Sequence, residues 1–120
     1  METAEQKEFV KWFRSEWPEH AQALRVSLRG LNFGSGKRAA IMVKHIKAQG
    51  SVDGESDIAI MLPKGGYGGL LVEHKGEGMA RKLTEDQADY LGYHNLVGNR
   101  AVSTRGLEEL KQVVQEYMNQ

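Results

Sequence analysis

The sequence contains no cysteine. Disulfide staples and thiolate metal centres are therefore excluded, and a reducing compartment is the natural setting. No apolar run approaches the ~18 residues of a membrane helix, so no membrane partner is expected. The opening residues METAEQKEF are too acidic and polar for a signal peptide. The four histidines, at positions 20, 45, 74 and 94, lack the spacing of a zinc site. Net charge is zero, so overall electrostatics gives no support to nucleic-acid binding. One absence is local. No acid occurs from His20 to Val52, while Arg25, Arg29, Lys37, Arg38, Lys44 and Lys47 fall inside that stretch. Such a segment is either a solvated surface or a face that meets an anion.

What is present is ordinary for a soluble globular protein: 40% hydrophobic and 27% charged residues. The 120 residues suffice for a single domain, 1–120, with one core. No repeat, linker or low-complexity segment divides it. Thr3 and Gln6 have the spacing of a capping box. A helix follows to about Glu16, ended by Pro18, with Phe9, Trp12 and Phe13 facing inward and Glu5 sharing their face. Leu24, Val26 and Leu28 alternate with Arg25, Ser27 and Arg29 as in a strand. GLNFGSG reads as a loop. Lys37–Gln49 reads as a helix with Ala39, Met42, Val43 and Ile46 inward and Gly50 as its stop. Strands near Asp57–Leu62 and Leu70–Lys75 form a hairpin. Thr84 and Gln87 cap a helix to about Leu96, ended by Gly98. RAVST is a short strand, and Leu107, Leu110, Val114 and Tyr117 mark a last helix. The order α-β-α-β-β-α-β-α predicts an α/β fold with a mixed sheet of about four strands flanked by helices.

The hairpin carries the chemistry. Leu71, Glu73 and Lys75 share one face of their strand; Leu70, Val72 and His74 share the other. If Leu62 pairs with Leu70, Ala59 lies opposite Glu73 and Asp57 opposite Lys75, and the three charges cluster. A one-residue slip would separate Asp57 from the others. Two carboxylates there suit a hard cation such as Mg²⁺. An adjacent lysine suits stabilisation of charge in phosphodiester hydrolysis. The same residues could instead form a surface salt bridge from Asp57 to Lys75 with Glu73 solvated. Against that reading, the flanks Ile58–Leu62 and Leu70–Val72 are nearly all apolar, and charges at the ends of strands buried on both faces are costly.

Asp57 followed by Glu73-His74-Lys75 resembles the D…(D/E)-x-K signature of the PD-(D/E)XK nuclease superfamily. The longer text from Gly50, G-x-x-x-G-x-x-D, five apolar residues, then P-K-G-G-Y-x-G-L and E-x-K, resembles the virus-type replication-repair nuclease (VRR-Nuc) domain. The resemblance is especially close to its small stand-alone phage-type members. EQKEFVKW resembles the family's first helix, LNFGSGKR its Asn-Gly-Gly-Lys-Arg loop, and RKLTEDQADYL its [ST]-x-x-Q helix start. Ser56 stands where the superfamily name has proline, extra residues lie between Asn32 and Lys37-Arg38, and Arg81 and Lys82 are added bases. The resemblance implies a restriction-endonuclease-like fold. It implies that Asp57, Glu73 and the backbone carbonyl of His74 ligate Mg²⁺ or Mn²⁺, with Glu5 contacting the metal directly or through water. Lys75 would be the catalytic lysine and Gln87 a supporting residue. The implied activity is a metal-dependent, structure-selective DNA endonuclease, a Holliday-junction resolvase acting as a homodimer on branched DNA. The implied location is the cytoplasm of a bacterial or phage-infected cell. A nuclease for flap, single-stranded or linear duplex DNA, and a non-catalytic DNA-binding module, are the alternatives.

GSGKR does not make a nucleotide site. The Walker pattern requires glycine at position 31, which is Leu31, and Ser or Thr at position 38, which is Arg38. No nucleotide cofactor is expected. Lys37 and Arg38 at a helix N-terminus, with Lys44, are candidate DNA contacts. Lys64 and Tyr67 at the hairpin tip are further candidates.

Overall fold

The computed structural model describes residues 3–27, 36–49, 52 and 54–120; the side chains at 3, 39, 43, 46 and 47 are outside that description. The elements are α1 (Thr3–Glu16), a 3-10 helix (Pro18–Ala23), β1 (Leu24–Val26), α2 (Lys37–Ala48), β2 (Ile58–Ile60), β3 (Leu70–Lys75), α3 (Glu85–Leu96), β4 (Arg100–Arg105) and α4 (Leu107–Met118). The order matches the expected one, except for the 3-10 helix. Pro18 starts it, where the fixed φ of proline suits a helical first turn.

The sheet order is β1-β2-β3-β4. β1/β2 and β2/β3 are antiparallel, and β3/β4 is parallel across α3. Helical and strand periodicities meet on two faces. On one face Phe9 and Phe13 of α1 and Leu110, Val114, Tyr117 and Met118 of α4 cover Ile58, Ile60, Leu70 and Val72. On the other, Leu91 of α3 covers Leu71 and Ala101. Burying side chains of this size is worth roughly 1.5–3 kcal/mol each, so the α1/α4 face supplies most of the stabilisation. β3 is an inner strand, and Leu70 to His74 are all buried, as a strand covered on both faces must be.

The hairpin register differs from the expected one. Ile60 pairs with Leu70, Ala59 with Leu71 and Ile58 with Val72, a shift of two residues. The cause is the tip. Lys64 and Tyr67 close a two-residue turn over Gly65 and Gly66, both at positive φ. Gly68 and Gly69 then intervene before β3 and approach β4, with the Gly68 N–H donating to the Gly98 carbonyl. Because strand faces alternate with period two, the shift keeps every side chain on its expected face. Continuing the ladder, Asp57 lies opposite Glu73 rather than Lys75.

Met42 is 42% exposed, and its neighbour Ile41 56%, which corrects the expectation that Met42 faces a core. Among the described residues α2 makes no extensive contact with another helix or strand, and Met42 stands at its exposed surface. Ala39, Val43 and Ile46, the Thr3 cap, Leu28, Asn32 and the Gly50 stop lie outside the described residues or side chains. Trp12 and Trp17 pack edge to face, 5.3 Å apart, against the rim of the main core.

Candidate active site

Asp57, Glu73 and Lys75 come together on the α3 face of the sheet, at the end of β3. β3 supplies two of them because residues two apart share a face. Asp57 sits just ahead of β2, and its place is set twice. Its carbonyl accepts the Ser27 N–H (2.8 Å), and its Oδ2 accepts the backbone N–H of His74 (2.9 Å). Burial raises the Asp57 pKa against the opposing pull of that hydrogen bond.

Glu73 is only 4% exposed. Its Oε1 accepts from Gln87 Nε2 at 2.7 Å and lies 3.7 Å from Lys75 Nζ. Its Oε2 is buried with no hydrogen-bond partner. Burial, and then the negative charge of Asp57, push the Glu73 pKa up to about 7. The Asp57 backbone lies near enough to ease this slightly, without closing a hydrogen bond.

Gln87 joins the groups. Thr84 and Gln87 form the expected capping box of α3, so Gln87 Oε1 accepts the Thr84 N–H (2.9 Å). The same oxygen accepts from Lys75 Nζ (3.2 Å). With Oε1 facing two donors, the amide orientation is determined by the network, and Nε2 must turn to Glu73. A helix cap thereby fixes the lysine and one carboxylate.

Glu5 lies on the other side of β3. Its Oε1 meets His74 Nε2 at 2.9 Å, and its Oε2 accepts the Glu77 N–H at 2.9 Å. The Glu77 amide first, and then His74, hold the Glu5 pKa below the usual carboxylate value. The His74 ring is fully buried, with Nδ1 2.7 Å from Thr104 Oγ1. An ionised carboxylate only accepts, so Nε2 carries a proton. Among the described residues no three histidine or acidic side chains converge as a ready metal cluster.

The other expected contacts lie apart from this group. Lys37, Arg38 and Lys44 are exposed on α2. Lys64 and Tyr67 sit at the hairpin tip, at the opposite end of β3 from Glu73; six residues of strand span about 20 Å. Tyr67 is half-buried against Tyr117, 6.4 Å between rings.

One residue was not anticipated, and two take places beyond those expected of them. Ser103 pairs with Glu73 across β3/β4 and shares its face; its Oγ is buried and likewise without a partner. Arg25 pairs with Ala59, so it projects on the Asp57 face, beside a groove of about 200 Å³ bordered by Ser56 and Tyr90. His74 was considered only for its carbonyl, although its face, shared with Leu70 and Val72, and that of Glu5, shared with Phe9, both point to the main core. Arg81 forms a two-nitrogen pair with Glu109 of α4, which gives that added base a place on the surface.

The donor set suits a hard divalent cation. The Asp57 charge opposes ionisation of Glu73, and Glu73 Oε2 and Ser103 Oγ, on residues paired across β3/β4, are each buried without a partner. Buried polar atoms without partners call for a water or ion. Oxygen donors of this kind match Mg²⁺ or Mn²⁺.

No family model and no curated protein matches the sequence. Among solved structures, a VRR_NUC domain protein matches 97% of this chain and 86% of its own, with TM-score 0.77 and 20% identity. The two share a fold. No described helix is long and apolar enough to cross a membrane.

Proposed function

We propose that this chain, which has the VRR-Nuc fold, is a metal-dependent endonuclease that hydrolyses DNA phosphodiester bonds. The single observation that carries this reading is the meeting of Asp57, Glu73 and Lys75, with one Glu73 oxygen beside Lys75 and the other buried and unpartnered. Asp57, Glu73 and the His74 carbonyl are the groups that would hold Mg²⁺ or Mn²⁺. The ion, when bound, supplies Lewis-acid stabilisation of a phosphoryl oxygen and lowers the pKa of a water. The chain's own residues do the rest. The His74 N–H holds Asp57 in place, while Gln87 keeps both Glu73 and Lys75 from swinging out. Lys75 is the one cation in the group, placed to orient the attacking water or to offset charge that grows on the phosphate.

Arg25 on the same face, with Lys37, Arg38 and Lys44 on α2, supplies basic groups for DNA phosphates outside the reacting centre. The substrate proposed is branched DNA, a four-way junction above all. Resolving a junction requires two cuts, and a homodimer provides two sites of this kind.

The test is cleavage of labelled four-way junction, flap, single-stranded and linear duplex DNA, with Mg²⁺, Mn²⁺, Ca²⁺ or EDTA. A branched substrate should be cut with Mg²⁺ or Mn²⁺ and none with EDTA. Asp57→Ala, Glu73→Ala and Lys75→Ala should each fold and fail to cut. Normal cleavage by Lys75→Ala would remove its assigned role. Preference for flap or single-stranded DNA would keep the chemistry and replace the substrate.

A further inference from the structure

The Glu5 carboxylate has a use that does not require it to touch a metal. It is bound on both sides of Lys75: to the ring of residue 74 and to the backbone amide of residue 77. The ring it holds is fully buried and is gripped at its other nitrogen by Thr104 of β4. The backbone of that same residue donates to Asp57 on the opposite side of the sheet. Three elements, α1, β3 and β4, are thus tied through one residue whose neighbours on either side are Glu73 and Lys75.

We propose that Glu5 is a positioning residue that acts through His74. By fixing the ring of 74 and the amide of 77, it sets the path of β3 through Lys75. It thereby sets the angle at which the His74 N–H meets Asp57 and at which Glu73 and Lys75 face each other. Each Glu5 oxygen makes one of these contacts, on the side of the strand away from the other two carboxylates. The inference rests on the nuclease reading for its catalytic consequence, but not for its structural content.

The test compares Glu5→Ala, Glu5→Gln and Asp57→Asn in the full chain, with thermal unfolding as a control for folding. Amide hydrogen exchange at residues 74 to 77, measured without DNA, reads the positioning. Glu5→Ala should speed exchange at His74 and Glu77 by about tenfold or more, the loss expected for a hydrogen bond to a charged group, and leave the α3 amides unchanged. Glu5→Gln, which keeps one acceptor oxygen, should fall between Glu5→Ala and the unaltered chain. In cleavage, Glu5→Ala should lower kcat by roughly 10- to 100-fold with KM for DNA unchanged, as for residues that orient metal ligands. Calorimetry should find Mn²⁺ binding lost in Asp57→Asn and retained in Glu5→Ala. Loss of Mn²⁺ binding in Glu5→Ala with normal amide exchange would make Glu5 a ligand and overturn the proposal. So would faster exchange with unchanged kcat, which would reduce Glu5 to a structural tie. If the unaltered chain cuts no DNA, the nuclease reading fails, and exchange and Mn²⁺ binding still decide the role of Glu5.

Discussion

Glu73→Gln should flatten the dependence of stability on pH in the metal-free protein. In the folded chain the Glu73 pKa is raised from 4.5 to about 7, by burial first and by Asp57 second. The folded state therefore holds a proton that the unfolded state releases between those values. Stability falls as pH rises through that window, and above it the loss is complete. At roughly 1.4 kcal/mol per unit the loss comes to about 3 kcal/mol. The raised pKa of Asp57 adds to it with the same sign. The assay is urea unfolding from pH 5 to pH 8.5 in EDTA. Because part of that loss has already occurred at pH 5, the unaltered protein should lose about 2–3 kcal/mol across the range, and Glu73→Gln should lose clearly less. A glutamine keeps an oxygen for Gln87 and can present its amide to Asp57, so the substitution should stabilise the protein at pH 8 and change little at pH 5. Adding Mg²⁺ should restore stability at pH 8 to the unaltered protein and not to the variant. Parallel curves for the two proteins would show that Glu73 ionises freely, and that the strained carboxylate pair does not exist.

Gln87→Leu should cost about 1–2 kcal/mol of stability, by removing the cap bond to Thr84 and the part-buried amide donor to Glu73 Oε1, and should lower cleavage through the loosened Lys75; unfolding and cleavage assays check both. Tyr117→Phe removes the hydrogen bond from the phenol to the Leu62 carbonyl (2.7 Å) and should cost about 1 kcal/mol with cleavage intact, since the contact lies on the hairpin-tip side. Lys37→Ala with Arg38→Ala should weaken DNA binding and reduce its dependence on salt by roughly two counterions, read from affinity against salt concentration; an unchanged slope would remove α2 from the DNA face.

The readable parts of this fold were those where local chemistry decides. The span of β3 could be read because its residues must be apolar on both faces until the charges begin. The α3 start could be read because a Thr-x-x-Gln box has one local use. The hairpin register could not, because two glycines after the turn accommodate the approach of β4, which is a tertiary event. The site survived that error because a two-residue slip leaves strand faces unchanged. For the same reason Asp57, Glu73 and Lys75 were legible as a group, while their pairing partners were not. Glu5 was correctly placed on the core side of α1. What it meets there depends on His74 being buried beneath it and on the chain turning back at Glu77, and neither is written in the local pattern. Ser103 was invisible for a similar reason: its relation to Glu73 exists only through parallel pairing across α3.

The most direct measurement is a crystal of the protein grown or soaked with Mn²⁺, with the ion located by its anomalous scattering. A peak should appear between the carboxylates of Asp57 and Glu73, near the carbonyl of His74 and within reach of Lys75. A bound ion elsewhere on the chain, with Glu73 Oε2 still without a partner, would contradict it.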